Sequence, residues 1–269
     1  MKKQIVTACA LIASVAAFAT SVTSDNTFGV LKVSSTATAE TAAQLIIPVP
    51  WENVGTSTGT ITATDYVLST GRKAGDMLYW YDNSLQEPAY KVWTIKSDNG
   101  SWEAATTYSI GGKSYSATTP EVGATIARGQ AVILGLVAGS TGDIYLSGQY
   151  NKNTVKVPIY GPTTEQVKKF YRVSTLIAPS SAATLDLNSE SVKFYDGDTE
   201  LATDDTKKTK LAGDQIKLAN GTVYTFNQLV GKWTKKTTNA DFTYENVTIP
   251  IGEGAWYSRC NAGNISIEW

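Results

Sequence analysis

The chain writes one unit twice. "GDMLYWYDNSLQEPAYKVWTIKSDNGSW" (Gly75 to Trp102) and "GDQIKLANGTVYTFNQLVGKW" (Gly213 to Trp233) both open on Gly-Asp and close on Gly-x-Trp. Between those ends each runs through an apolar stretch, a turn and a Tyr-containing stretch. Further echoes keep the same order: "LIIP" (Leu45 to Pro48) and "LIAP" (Leu176 to Pro179) come before, and "TIARGQAVIL" from Thr125 and "TIPIGEGAWY" from Thr248 come after. Last come "GDIYL" from Gly142 and "GNISI" from Gly263. Matches in one order with unequal gaps are what a duplicated domain with altered loops leaves. The expected organisation is a leader over 1–19, a first β-rich domain over 20–150 and a second over 151–269.

Each unit is written in strands. "TFGVLKV", "DMLYWY", "YKVWTI", "QAVILGLV", "DIYLSGQY", "SVKFY" and "NISIEW" are short runs bounded by turn residues, the pattern of half-buried strands. Asn220-Gly221, between "QIKLA" and "TVYTF", predicts a type I′ hairpin, and Asn99-Gly100 a second such turn. Glycines at 75, 129, 142, 213, 252 and 263 mark turns or close backbone approach. In "GPTTEQVKKFYRV" alone, Thr163 and Gln166 fit a capping box and Val167, Phe170 and Tyr171 share a helical face. One short helix or turn is expected there, near mid-chain where a linker belongs. The fold class expected is all-β: two tandem, duplicated antiparallel β-sandwiches or partly closed barrels.

The first residues, "MKKQIVTACALIASVAAFA", carry two lysines, an apolar run from Ile5 to Phe18 and a small-x-small site at Ala17-Phe18-Ala19. These are the parts of a secretory signal peptide, and the run is shorter than the ~20 residues a bilayer requires. Export is expected, to the cell surface, the periplasm or the medium. Cys9 leaves with the leader, so Cys260 remains alone and no internal disulfide forms. No later segment reads as a transmembrane helix. With 23 basic and 24 acidic residues and a net charge of −1, no basic stripe offers a nucleic-acid footprint.

The plan resembles that of exported bacterial proteins containing two β-rich repeats. "NTFGVLKV" (Asn26 to Val33), "PVPW" (Pro48 to Trp51) and "GEGAWY" (Gly252 to Tyr257) carry the likeness, together with the Gly-Asp and Gly-x-Trp positions. It covers nearly the whole mature chain. The first repeat departs from it, with Gln130 and Ile133 where the second has Glu253 and Trp256. The resemblance implies export and repetition, not an activity.

The chain contains no histidine. This removes Ser-His-Asp and Cys-His catalysis and His-based zinc sites. "GTSTG" (Gly55 to Gly59) matches the spacing of a nucleophile elbow but lacks its histidine and its strand-to-helix turn. "GGKS" (Gly111 to Ser114) lacks the earlier glycine of a phosphate loop, with Thr107 in its place, and reads as a hairpin turn. Asp196, Asp198 and Glu200 alternate as calcium ligands do, but Leu201 and Lys207 stand where an EF-hand wants Gly and a carboxylate. No enzyme activity, metal or cofactor is expected.

The aromatic residues are the remaining candidates for a site. "LYWY" puts Tyr79 and Tyr81 on one strand face and Trp80 on the other. With Trp51, Trp93 and Trp102 these could form a stacking platform for a ligand. "GNISIEW" alternates like the closing strand of an outer-membrane barrel, but most runs are shorter than the ~10 residues such strands need. The expected function is that of an exported, non-catalytic structural or adhesive protein at the cell surface or outside the cell. Its partner would be a protein or a second copy, with carbohydrate binding as the alternative and a membrane barrel behind it.

Overall fold

The computed structural model describes residues 28–269 except 36, 53–59, 63–66, 68, 70, 83–88, 111–112, 118–124, 142, 150, 152, 170–171, 180–183, 202–203, 237–241 and 244–246. The leader and "GTSTG" lie outside the described residues. The fold is all-β, in several antiparallel sheets, with two short helices among the described residues.

The first half supplies β1 (Phe28–Ser34), β2 (Ala43–Pro48), β3 (Thr60–Thr62), β4 (Met77–Asp82), β5 (Ala89–Ile95), β6 (Trp102–Ala105), β7 (Thr107–Ile110), β8 (Lys113–Ser116), β9 (Thr125–Ala127), β10 (Ala131–Leu136) and β11 (Asp143–Gln149). The second begins with β12 (Lys156–Ile159), α1 (Thr164–Lys168), β13 (Val173–Ile177), β14 (Leu185–Asp186), β15 (Lys193–Asp196) and β16 (Thr199–Glu200). After α2 (Asp204–Leu211) follow β17 (Gln215–Leu218), β18 (Val223–Asn227), β19 (Lys232–Lys236), β20 (Phe242–Thr243), β21 (Thr248–Ile249), β22 (Ala255–Arg259) and β23 (Ile265–Glu268).

No sheet takes named strands from both halves, and one strand order serves both. The first half pairs β1 with β11 and β3 with β9, and runs its large sheet β2-β10-β4-β5-β6. The second pairs β14 with β21 and runs β13-β22-β17-β18-β19-β20, and it pairs β12 with β23 in a sheet that continues into β15 and β16, which the first half lacks as named strands. The registers agree too. Tyr79 lies opposite Ile133 and Val92, as Lys217 lies opposite Trp256 and Val223. The "LIIP" and "LIAP" echo is out by one residue: Ile46 opposes Ile133 and Leu176 opposes Trp256, so Pro48 corresponds to Ala178 rather than Pro179.

The repeated residues are scaffold. In both Gly-Asp turns the aspartate's carbonyl accepts from the first residue of the Gly-x-Trp strand pair, Ile95 or Phe226, whose own carbonyl accepts from the preceding glycine. Ile95 pairs with Trp102, and Phe226 with Trp233. Both carboxylates then reach the residue just after the penultimate strand. Asp76 accepts from Val137 N–H (2.9 Å), Ser140 Oγ (2.5 Å) and Lys73 N–H (3.1 Å). Asp214 accepts from Cys260 N–H (3.1 Å), the Tyr257 hydroxyl (2.9 Å) and Arg259 Nη1 (2.9 Å). Both carboxylates are fully buried, a placement tolerable only with such donors.

Each half has its own apolar core, one around Leu78, Trp93, Trp102 and Leu134, the other around Phe194, Phe226, Trp233 and Tyr257. Arg128, at the turn before β10, donates to the carbonyls of Asn151, Asn153 (2.9 Å) and Thr154 (3.4 Å) and so holds the connection between the halves. Where the sequence suggested a linker, the chain is already inside the second half. Gly161 donates to Asn264 Oδ1 (3.0 Å), and α1 joins β12 to β13 with the expected Thr163–Gln166 capping box. Phe170 and Tyr171 lie outside the described residues. The unexpected helix is α2, whose buried Leu211 is its one core side chain among the described residues; its lysines near the C-terminus complement the helix dipole.

The halves meet reciprocally. The turn before β10 bridges β13 at Gln130–Ile177, with Ala178 N–H donating to Gly129 O (2.8 Å). The corresponding turn before β22 reaches back to β2, where Gly254 N–H donates to Ile46 O (3.1 Å). Gly254 and its counterpart Ala131 are in contact: a Cβ on Gly254 would lie 2.6 Å from that of Ala131. Equivalent positions touching one another are the mark of a two-fold relation.

Candidate functional site

The repeats differ on the face of the large sheet turned away from the first core, where Tyr79, Val92 and Ile133 are buried in a third cluster with Leu176 and Ala178 of the second half. Strand alternation turns Leu78 and Trp80 of β4 toward the first core and Tyr79 and Tyr81 away from it. β5 sets Tyr90 directly opposite Tyr81. The hairpin β7–β8 has no partner in the strand order of the second half, and it pairs Tyr108 with Tyr115. Its strands pair out from Ile110–Lys113, with Lys113 and Ser114 of "GGKS" in β8, while Gly111 and Gly112 lie outside the described residues.

The rings form a continuous row. Tyr115 stacks on Tyr108 (5.4 Å, 21°), and Tyr108 meets Tyr90 (5.3 Å) and Tyr79 (5.8 Å) edge to face. Tyr90 lies 4.8 Å from Tyr81, which meets Trp256 of the second half at 5.7 Å and 73°. Such edge-to-face pairs contribute about 0.5–1.5 kcal/mol each beyond area burial. Gly135 makes the row possible, since a Cβ there would lie 3.0 Å from Tyr79 Cε2. Its counterpart in the second half is Ser258, hydrogen-bonded to Ser174 (2.7 Å). There, Lys217 and Gln215 occupy the positions of Tyr79 and Met77.

Burial pushes the phenols of Tyr79, Tyr81 and Tyr108 up, and that of Tyr90 up to about 12. All are uncharged near neutral pH, so each hydroxyl both donates and accepts. Tyr79 donates to Met77 Sδ (3.0 Å). The hydroxyls of Tyr81, Tyr90, Tyr108 and Tyr115 make no hydrogen bond within the described residues. The neighbours of the row, Val92, Ala105, Ala117, Ile133 and Leu176, are apolar.

The six aromatics singled out in the sequence do not share one surface. Trp51, Trp93 and Trp102 are core side chains of the first half, Trp102 donating to Val67 O at 2.7 Å. Trp80 packs on that core under Lys91, whose Nζ lies 4.8 Å from the ring centroid. Tyr79 and Tyr81 alone belong to the row. Tyr90, Tyr108, Tyr115 and Trp256 were not foreseen; the signal available for Tyr90 was its register opposite "LYWY".

The acidic run disperses. Asp196 pairs with Lys210, Glu200 with Lys193 (3.1 Å) and Asp198 with Lys156 (4.0 Å). Among the described residues no group of three or more His, Cys, Asp or Glu is placed to hold a metal ion. No helix of the described residues is long and apolar enough to cross a membrane, and no sheet of them closes into a barrel. Comparison with protein-family models, with curated proteins and with solved structures finds no match.

Proposed function

We propose that this is an exported, non-catalytic interaction protein that holds a partner at the cell surface or outside the cell through the tyrosine row. The observation that carries this reading is the contrast between the repeats. On one sheet order, the second half sets Lys217, Gln215 and an exposed Val223 at the positions of Tyr79, Met77 and Val92, and among its described strands it has no hairpin to carry counterparts of Tyr108 and Tyr115. Residues kept in both halves, such as the Gly-Asp carboxylates, are engaged in backbone and side-chain hydrogen bonds that hold strands together. Reactive chemistry has no free acid or base in those positions, whereas aromatic rings with free hydroxyls are the residue type that dominates binding surfaces. The leader supports export.

Co-sedimentation of the mature protein with isolated envelope and surface material tests this. Saturable retention is expected, and the variant Tyr108→Ala/Tyr115→Ala loses it while keeping its circular dichroism. Absence of retention, or retention indifferent to that variant, overturns the reading.

A further inference from the structure

The row runs from the buried Tyr79 through the half-buried Tyr81, Tyr90 and Tyr108 to the exposed Tyr115, and its outer end narrows its occupant. β4 and β5 are interior strands, each hydrogen-bonded on both sides, so beside Tyr79, Tyr81 and Tyr90 no main-chain edge is offered for a peptide to add as a strand; among the described residues that carry the row's tyrosines, only the short β7–β8 hairpin, paired within itself, leaves edges, beside Tyr108 and Tyr115. Lys217, opposite Trp256, stands at one end; the ring neighbours along the row are apolar, so no basic groove follows it as a nucleic acid requires. What the row offers is alternating ring faces and edges, with the hydroxyls of Tyr81, Tyr90, Tyr108 and Tyr115 making no hydrogen bond within the described residues. A molecule that fits has apolar C–H faces to lie on rings, many hydroxyls to exchange hydrogen bonds, and no charge. That is the chemistry of a pyranose chain.

Resting on the interaction reading above, we infer that the tyrosine row, ended by Trp256 from the second half, binds a neutral oligosaccharide. Tyr115 is 43% exposed and supplies the most accessible ring face. Tyr81 and Tyr90 supply hydroxyls beside it, and Trp256 makes the site depend on both halves being joined. Because the second half lacks these rings, it offers no equivalent site.

The test is titration of the mature protein with neutral gluco-, manno-, galacto- and xylo-oligosaccharides, read by calorimetry and by tyrosine chemical shifts. At least one series should bind saturably, with little change on adding salt. Tyr115→Ala should weaken it about tenfold or more, and Tyr145→Ala, at an exposed tyrosine elsewhere on the first half, should not. Should Tyr115→Ala disturb the fold, Tyr115→Phe replaces it, with a smaller loss expected. Periodate oxidation of the envelope material should abolish retention. Failure of every neutral series to bind, loss equal in Tyr145→Ala, or preference for a proline-rich peptide overturns the assignment. If retention on periodate-treated envelope persists, the sugar is wrong while the interaction reading stands.

Discussion

Asp214 and Arg259 form an ion pair from which solvent is excluded, the side chains of both being 0% exposed. Burial pushes the Asp214 carboxyl up against the opposing pull of the Arg259 guanidinium. Removing the acid leaves a buried cation, which costs about 3–5 kcal/mol. Asp214→Ala should therefore destabilise more than Asp76→Ala, whose direct hydrogen-bond donors are neutral, at about 1–3 kcal/mol, and whose charge acts on the buried Arg72 guanidinium without a direct hydrogen bond to it; urea unfolding of both variants measures the difference. Tyr90 gives a pH dependence. Its phenol is raised from 10.0 to about 12 in the fold, so the folded state holds the proton more tightly than the unfolded one. That contribution is fully present below pH 10 and is lost as pH rises toward about 12. Tyr90→Phe should flatten the alkaline loss of stability over that interval. At this scale the sequence discloses the Gly-Asp and Gly-x-Trp residues, because turn chemistry is local. It does not disclose that Trp93 is core and Tyr90 is not, since the inward face depends on which strands are neighbours.

Among the elements, the turns before β10 and β22 make a controlled pair. Gly129 and Gly252 both have φ near +85° (85° and 86°), so any side chain there costs about 1–2 kcal/mol of backbone strain. A Cβ on Gly252 meets nothing within 4 Å, whereas one on Gly129 would lie 2.5 Å from Val155 Cγ1 and 2.8 Å from Val157 Cγ2. Gly129→Ala is expected to lower the melting temperature well beyond Gly252→Ala, as differential scanning calorimetry will measure. Most long strands are legible from alternation, as "DMLYWY" and "DIYLSGQY" illustrate. β14, β16 and β21, of two residues each, carry too little pattern. α2 escapes because "DDTKKTKL" is polar nearly throughout and buries Leu211 from its last turn. At Asn220-Gly221 the hairpin is real but its type differs. Gly221 alone is left-handed (φ 85°), and Leu218 N–H donates to Thr222 O around a three-residue loop, a geometry set by the strands' register and not by the dipeptide.

For the molecule as a whole, the halves are joined by the paired turns and by a buried cluster in which Tyr79, Val92, Ala131 and Ile133 of the first pack with Leu176 and Ala178 of the second. Gly254→Ala would place a methyl 2.6 Å from Ala131 Cβ and from Ile46 Cγ2. Overpacking of that kind costs about 1–3 kcal/mol, and Ala131→Gly in the same chain should return part of it. The intact protein should melt in one calorimetric transition, and Arg128→Ala, which frees the connecting carbonyls, should split it in two. The strand order that the halves share could be read in part from ordered echoes hundreds of atoms apart. The manner in which the copies meet could not, because a glycine facing an alanine leaves no periodic trace. That reciprocity also limits how the protein could polymerise. A contact in which each copy answers the other with the same patch is satisfied within a single chain and has no free end to pass to a neighbour. Any filament or lattice this protein builds must therefore grow from surfaces other than the one that unites its two halves.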